Sequence, residues 1–130
     1  MIQNVGKKAW KVLIVDDEEM IRNLLVTALE DLDFEIKAAG SGTEGFLMAA
    51  EFFPDLIISD IVMAGGTGAA MTKRLREELP DYSPRIIMIS GYSQFTDSEI
   101  RGLGVDRVIA KPFHIRSIIS SIREVLDIGV

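Results

Sequence analysis

The chain has 130 residues, with 20 acidic and 14 basic side chains, a net charge of −6, one histidine and no cysteine. A chain of this length is expected to form one compact core that buries roughly two-thirds of its unfolded surface. The missing cysteine excludes a disulfide frame, a thiolate metal site and a cysteine nucleophile, and the acidic balance makes a nucleic-acid backbone a poor partner.

In chain order, Lys11 to Val15 is a compact apolar run that stops at Asp16 and Asp17. Met20, Ile21, Leu24, Leu25, Ala28, Leu29 and Leu32 then repeat at helical steps. Phe34 to Ala39 is a weaker strand. Ser41-Gly42-Thr43-Glu44 has the form of a capping box, opening a helix that carries Phe46, Leu47, Ala50 and Phe53. Leu56 to Ser59 stops at Asp60, and a helix is expected over Gly68 to Leu79. Arg85 to Ile89 stops at Ser90, and a further helix is expected over Gln94 to Leu103. Val105 to Ala110 stops at Lys111, and Ile115, Ile118, Ile119, Ile122, Val125 and Leu126 mark a last helix.

Strands that are apolar throughout suit burial on both faces of a parallel sheet. The pattern is (βα)5, a doubly wound α/β fold with a five-stranded parallel sheet. Right-handed crossovers divide the helices over its two faces, and the expected strand order is 2-1-3-4-5. No apolar run approaches the ~20 residues of a membrane span. Met1 to Trp10 lacks the apolar stretch of a signal peptide, so a cytoplasmic location is expected.

In that sheet Asp16, Asp17, Asp60, Ser90 and Lys111 all fall at the carboxyl ends of strands, on one edge. The margin strand, ending Ala38-Ala39-Gly40, contributes nothing comparable. Converging carboxylates repel, by roughly 4 kcal/mol for a pair ~4 Å apart at an effective dielectric near 20. Lys111 or a hard, oxygen-seeking cation would offset this, and Mg2+ accepts one or two carboxylates together with waters and phosphate oxygens. Such a crevice can hold a phosphoryl group. With no cysteine and the single histidine placed elsewhere, a carboxylate is the plausible nucleophile, and Asp60 has the central position.

Val-Asp-Asp at 15–17, a lone Asp after the third strand, Ser-Gly at 90–91 and Lys-Pro-Phe at 111–113 resemble the receiver domains of two-component response regulators, from about Lys11 to Leu126. The resemblance implies a flavodoxin-like, chemotaxis-regulator-like fold and a single receiver domain over residues 1–130, with its core at about 10–127 and no output domain in this chain. It implies that Asp60 accepts a phosphoryl group from a phosphohistidine on a sensor histidine kinase or histidine phosphotransfer protein, as in a phosphorelay. Asp17 and Asp60 would ligate Mg2+ directly, Asp16 through water, and Val62 through its backbone carbonyl. Lys111 would pair with the phosphoryl group and Ser90 would swing toward it, with a cis Lys111-Pro112 bond directing the lysine. The phosphorylated domain would act on a downstream protein as a monomer or weak homodimer, with no direct contact to nucleic acid or membrane. It would be no enzyme beyond its own phosphorylation and dephosphorylation.

Two positions depart from the family's pattern. Val108 stands where an aromatic often precedes the lysine, so the usual Ser-aromatic coupling cannot operate as described. Met63-Ala64-Gly65-Gly66-Thr67-Gly68 lacks the frequent Met-Pro and should give a looser loop. These departures sustain the alternative of a receiver-like binding module that no longer uses phosphorylation. A second alternative, an Asp-nucleophile phosphatase, would want a general acid two residues after the nucleophile, where Val62 stands.

Other residues read more plainly. Glu18 and Glu19 suit the positive end of a helix dipole, and Lys73, Arg74 and Arg76 read as a solvated helix face. His114 opens the last helix outside the crevice, Trp10 packs at the far end of the sheet, and Tyr92 either shades the site or is an ordinary surface aromatic. The Gly65, Gly66 and Gly68 run lacks the Gly-Lys-Ser/Thr ending of a phosphate-binding loop.

Overall fold

A computed structural model describes residues 9–61, 63, 67–91 and 97–128. Five strands and five helices alternate: β1 Trp10–Val15, α1 Glu19–Glu30, β2 Phe34–Ala39, α2 Gly42–Phe52, β3 Leu56–Asp60, α3 Gly68–Glu78, β4 Arg85–Ser90, α4 Asp97–Arg101, β5 Arg107–Ala110 and α5 Ile115–Leu126. All strands pair in parallel, in the order β2-β1-β3-β4-β5. This is the doubly wound flavodoxin-like arrangement that the chain pattern implies.

Two apolar layers flank the sheet. Val12, Ile14, Leu56, Ile58, Ile87 and Ile89 pack against Leu25 and Leu29 of α1 and Ile118, Ile122 and Leu126 of α5. The alternate residues Leu13, Val15, Ile57, Ile86 and Met88 pack against Phe46 and Ala49 of α2 and Met71 and Leu75 of α3. Side chains of one strand point alternately to the two faces, so a strand with helices on both sides has to be apolar throughout. β3 is buried over all five residues, apolar from Leu56 to Ile58 and polar only at its carboxyl end, where Ser59 and Asp60 stand.

The helix boundaries follow local chemistry. Ser41 Oγ accepts from Glu44 N–H at 3.0 Å, as the capping-box reading requires, but Glu44 Oε1 accepts from Gly40 N–H at 2.7 Å, one residue before the cap. Thr67 Oγ1 likewise accepts from Ala70 N–H at 3.0 Å to open α3. α2 ends with Phe53 in the left-handed region at φ 49°, where its ring meets Tyr82 edge-on at 5.2 Å. A bulky side chain in that conformation is strained by roughly 1–2 kcal/mol, and the ring contact offsets part of it.

The right half of the sheet is shorter than the sequence pattern indicates. β5 begins at Arg107 rather than Val105, because Asp106 Oδ2 and Asp106 N–H both bind the Ile86 backbone and the chain joins the ladder only after that turn. The described part of α4 runs from Asp97 to Arg101, and the Gln94 to Thr96 portion of the expected helix lies outside the described residues. Trp10 opens β1 at the amino edge, half-buried against the α1/α5 layer.

Candidate functional site: a carboxylate crevice

The ladder register sets the crevice. Val15 pairs with Ser59 and Asp60 with Ile89, so Asp16 comes level with Asp60, while Ser90 stands one step beyond it and pairs with Ala110, the residue before Lys111. Four residues distant in sequence are thereby brought to one edge of three neighbouring strands and the turn after a fourth.

Asp16 is almost wholly buried, at 1% exposure. Its Oδ1 accepts from Glu18 N–H at 2.8 Å, so the residue also shapes the turn into α1. Its Oδ2 is buried with no hydrogen-bond partner, 3.9 Å from Lys111 Nζ. Burial pushes the Asp16 carboxyl up, and the Asp60 charge adds to the rise, against the Glu18 N–H and the Lys111 ammonium, which pull it down.

Asp60, the last residue of β3, is buried and accepts from Lys111 Nζ at 2.8 Å. Burial alone would lower the Lys111 ammonium. The hydrogen bond and charge of Asp60, with Asp16 and Glu18 behind it, outweigh that and hold the lysine above its ordinary value. The Lys111-Pro112 bond is cis. Ser90 is half-buried, and its carbonyl accepts from Lys111 N–H at 2.9 Å, tying the lysine's backbone to the end of β4.

Carboxylate oxygens of Asp16, Asp17, Glu18 and Asp60 all lie within 4.8 Å of one another. A hard divalent cation takes oxygen donors of this kind, and the buried Asp16 oxygen without a hydrogen bond is a donor seeking a positive partner. The residues present therefore fit Mg2+. Val62, whose carbonyl the resemblance adds to that set, lies outside the described residues, as do Tyr92 and the Gly65-Gly66 pair. His114 is the exposed N-cap of α5, and its side chain makes no cap bond.

Three supporting residues escaped the sequence reading. Glu18 was assigned to the start of the helix. It is the N-cap of α1, yet its side chain makes no cap bond and its Oε1 lies 3.5 Å from Lys111 Nζ. Arg22 reaches back from α1 to donate to the Asp16 carbonyl at 2.7 Å. β2 supplies no side chain to the crevice, but its last carbonyl, that of Ala39, accepts from Asp16 N–H at 3.1 Å.

Gly68 matters for a different reason. A Cβ there would lie 2.3 Å from the Asp60 carbonyl oxygen and 2.7 Å from Ser59 Oγ, so only glycine lets α3 start directly against the end of β3.

Fold and crevice together define a class: an open parallel α/β sheet with an acidic, lysine-bridged site at its topological switch point. The response regulator receiver domain family matches residues 12–123, and the chain belongs to that family. It is 38% identical over 121 residues to the chemotaxis protein CheY of Halobacterium salinarum, covering 91% of this chain and 98% of that protein. It is 33% identical over 124 residues to the phosphate regulon transcriptional regulatory protein PhoB of Pseudomonas aeruginosa, covering 94% of this chain but only 52% of PhoB. The chain thus spans about half the length of that regulator. A solved CheY-like receiver domain from Methanospirillum hungatei superimposes with a TM-score of 0.84 at 27% identity, over 92% of this chain and 95% of that one. The protein is a receiver domain of two-component signal transduction, a signalling domain by family. Among the described residues no helix is long and apolar enough to cross a membrane.

Proposed function

We infer that this domain is a phosphorylation-controlled switch whose acceptor is Asp60, working with Mg2+ in the cytoplasm. The observation that carries the reading is the placement of Asp60: at the end of the fully buried β3, 2.8 Å from Lys111 Nζ and within the Asp16, Asp17 and Glu18 carboxylate group.

A bound cation would neutralise phosphoryl oxygens at this edge. Asp17 and Asp60 would hold it directly and Asp16 through water, with Val62 as the backbone donor. The Asp60 carboxylate attacks the phosphorus of a phosphohistidine, forming an acyl phosphate as the P–N bond breaks and the imidazole leaves. Lys111 turns its ammonium from the Asp60 oxygen to the new phosphoryl oxygens, and the Ser90 hydroxyl, at the adjoining strand end, donates to one of them. The donor would be a sensor histidine kinase or a histidine phosphotransfer protein. The added charge then shifts the population of surface conformations that a downstream protein binds. One receiver domain, with its core at about 10–127, suffices for this role, as a monomer or weak homodimer.

Intact mass after incubation with acetyl phosphate and Mg2+ tests the reading. The expected result is one added phosphoryl mass that requires magnesium and is absent in Asp60→Asn. A folded wild-type protein that neither gains the mass nor binds beryllofluoride would overturn it in favour of a module that no longer uses the chemistry.

A further inference from the structure

Glu18, like Asp17, lies on the exposed side of the crevice, whereas Asp16 and Asp60 are buried. The Glu18 side chain is 62% exposed and sits at a helix N-cap without making a cap bond, although the orphan N–H groups of α1 are within its own turn. Its carboxylate instead lies 3.5 Å from the ammonium of a residue 93 positions away. The crevice also holds the buried Asp16 Oδ2, which has no hydrogen-bond partner and faces the same ammonium at 3.9 Å. The acids around Lys111 are thus a group suited to a cation, with an unfilled demand for positive charge, and Glu18 is an exposed member that reaches the ammonium.

One ammonium serves three carboxylates here, at 2.8 Å from Asp60, 3.5 Å from Glu18 and 3.9 Å from Asp16. A phosphoryl group on Asp60 needs that ammonium too. Whatever hold Glu18 keeps on Lys111 is withheld from the phosphoryl oxygens, and the Glu18 charge also repels them. The same charge attracts a divalent cation. We propose that Glu18 is a positioning residue with two opposed effects: it strengthens cation binding in the crevice and weakens the grip of Lys111 on the phosphorylated state. The inference rests on the switch reading above. It sets Glu18 as a residue that tunes how long and how firmly the switch stays on.

Glu18→Gln keeps the side-chain length and removes the charge at an exposed position, so the fold is retained. Calorimetric titration with Mg2+ alone, and then with beryllofluoride at saturating Mg2+, reads the two effects separately. In the variant, Mg2+ should bind about fivefold more weakly, as expected for losing one nearby charge in a solvent-screened site. Beryllofluoride should bind about threefold more tightly because Lys111 is released to it. Local structural damage would weaken both. A wild type that binds neither probe overturns the switch reading and this inference with it. A wild type that binds both, beside a variant without the opposed shifts, overturns the role of Glu18 alone.

Discussion

The two flanks of the crevice are built differently. On the left, β1 and β3 are buried over nearly their whole length, and three backbone bonds or straps hold the Asp16 turn: Ala39 carbonyl, Glu18 N–H and Arg22 guanidinium. On the right, β5 has four residues, two of them exposed and two half-buried, and the described α4 has five. That flank is anchored from α3, where Arg76 donates to the Leu103 carbonyl at 3.5 Å and the Gly104 carbonyl at 3.1 Å. The difference teaches a division of labour. Carboxylates that repel one another need a stiff mount, whereas under the proposed switch reading a flank that responds to an added charge would need low local stability so that a modest energy could move it.

The largest expected effect compares the flanks directly. Ile58→Ala, in the fully buried β3, should cost about 3 kcal/mol, and Ile109→Ala, in the half-buried β5, about 1 kcal/mol, in urea unfolding. Equal costs would break the contrast between a stiff and a soft side.

A smaller effect concerns the stiff side alone. Burial raises the Asp16 carboxyl above its unfolded value, so the fold favours its protonated form, and the contribution of this group to stability falls as pH rises through the folded pKa. In EDTA, Asp16→Asn should therefore raise the melting temperature, on the order of a few degrees near neutral pH and less at pH about 4. Thermal melts at both pH values check this, and a gain that shrinks toward neutral pH would contradict the sign.

The smallest effect tests the soft side. Arg76→Ala should cost under about 1 kcal/mol, because both bonds are long or exposed. It should nevertheless speed amide exchange in the 101–104 turn, as read by hydrogen exchange with mass spectrometry. In β5, beyond this turn, the proposed switch would have to propagate without the aromatic that the family often carries. Val108 packs on the α2/α3 layer beside Val105, and no aromatic stands there to rotate inward. The contact of Gly68 with the Asp60 carbonyl and the Arg76 clasp place α3 in touch with both flanks.

Much of this was legible in the chain. Strands covered on both faces must be continuous apolar runs, so the runs, and the polar residues that end four of the five, marked the sheet and most of its polar carboxyl edge before any contact was known: Asp16, Asp60, Ser90 and Lys111. Element ends were less legible. Val105 is as apolar as a strand residue, but the Asp106 turn keeps it out of the ladder, and nothing in a period-two pattern reports a side chain that binds a neighbouring backbone.

What the sequence determined by itself is the order of elements and which residue types meet at the carboxyl edge, because both follow from burying a parallel sheet between helices. What only the tertiary structure decided is the direction of individual long side chains. Glu18 leaves its own helix for Lys111, Arg22 turns back to Asp16, and Arg76 crosses to the turn after α4. Each is a flexible polar arm with partners on offer at several places. The choice among them is made by geometry that exists only once the sheet has brought distant residues within about 3 Å, the reach of a hydrogen bond.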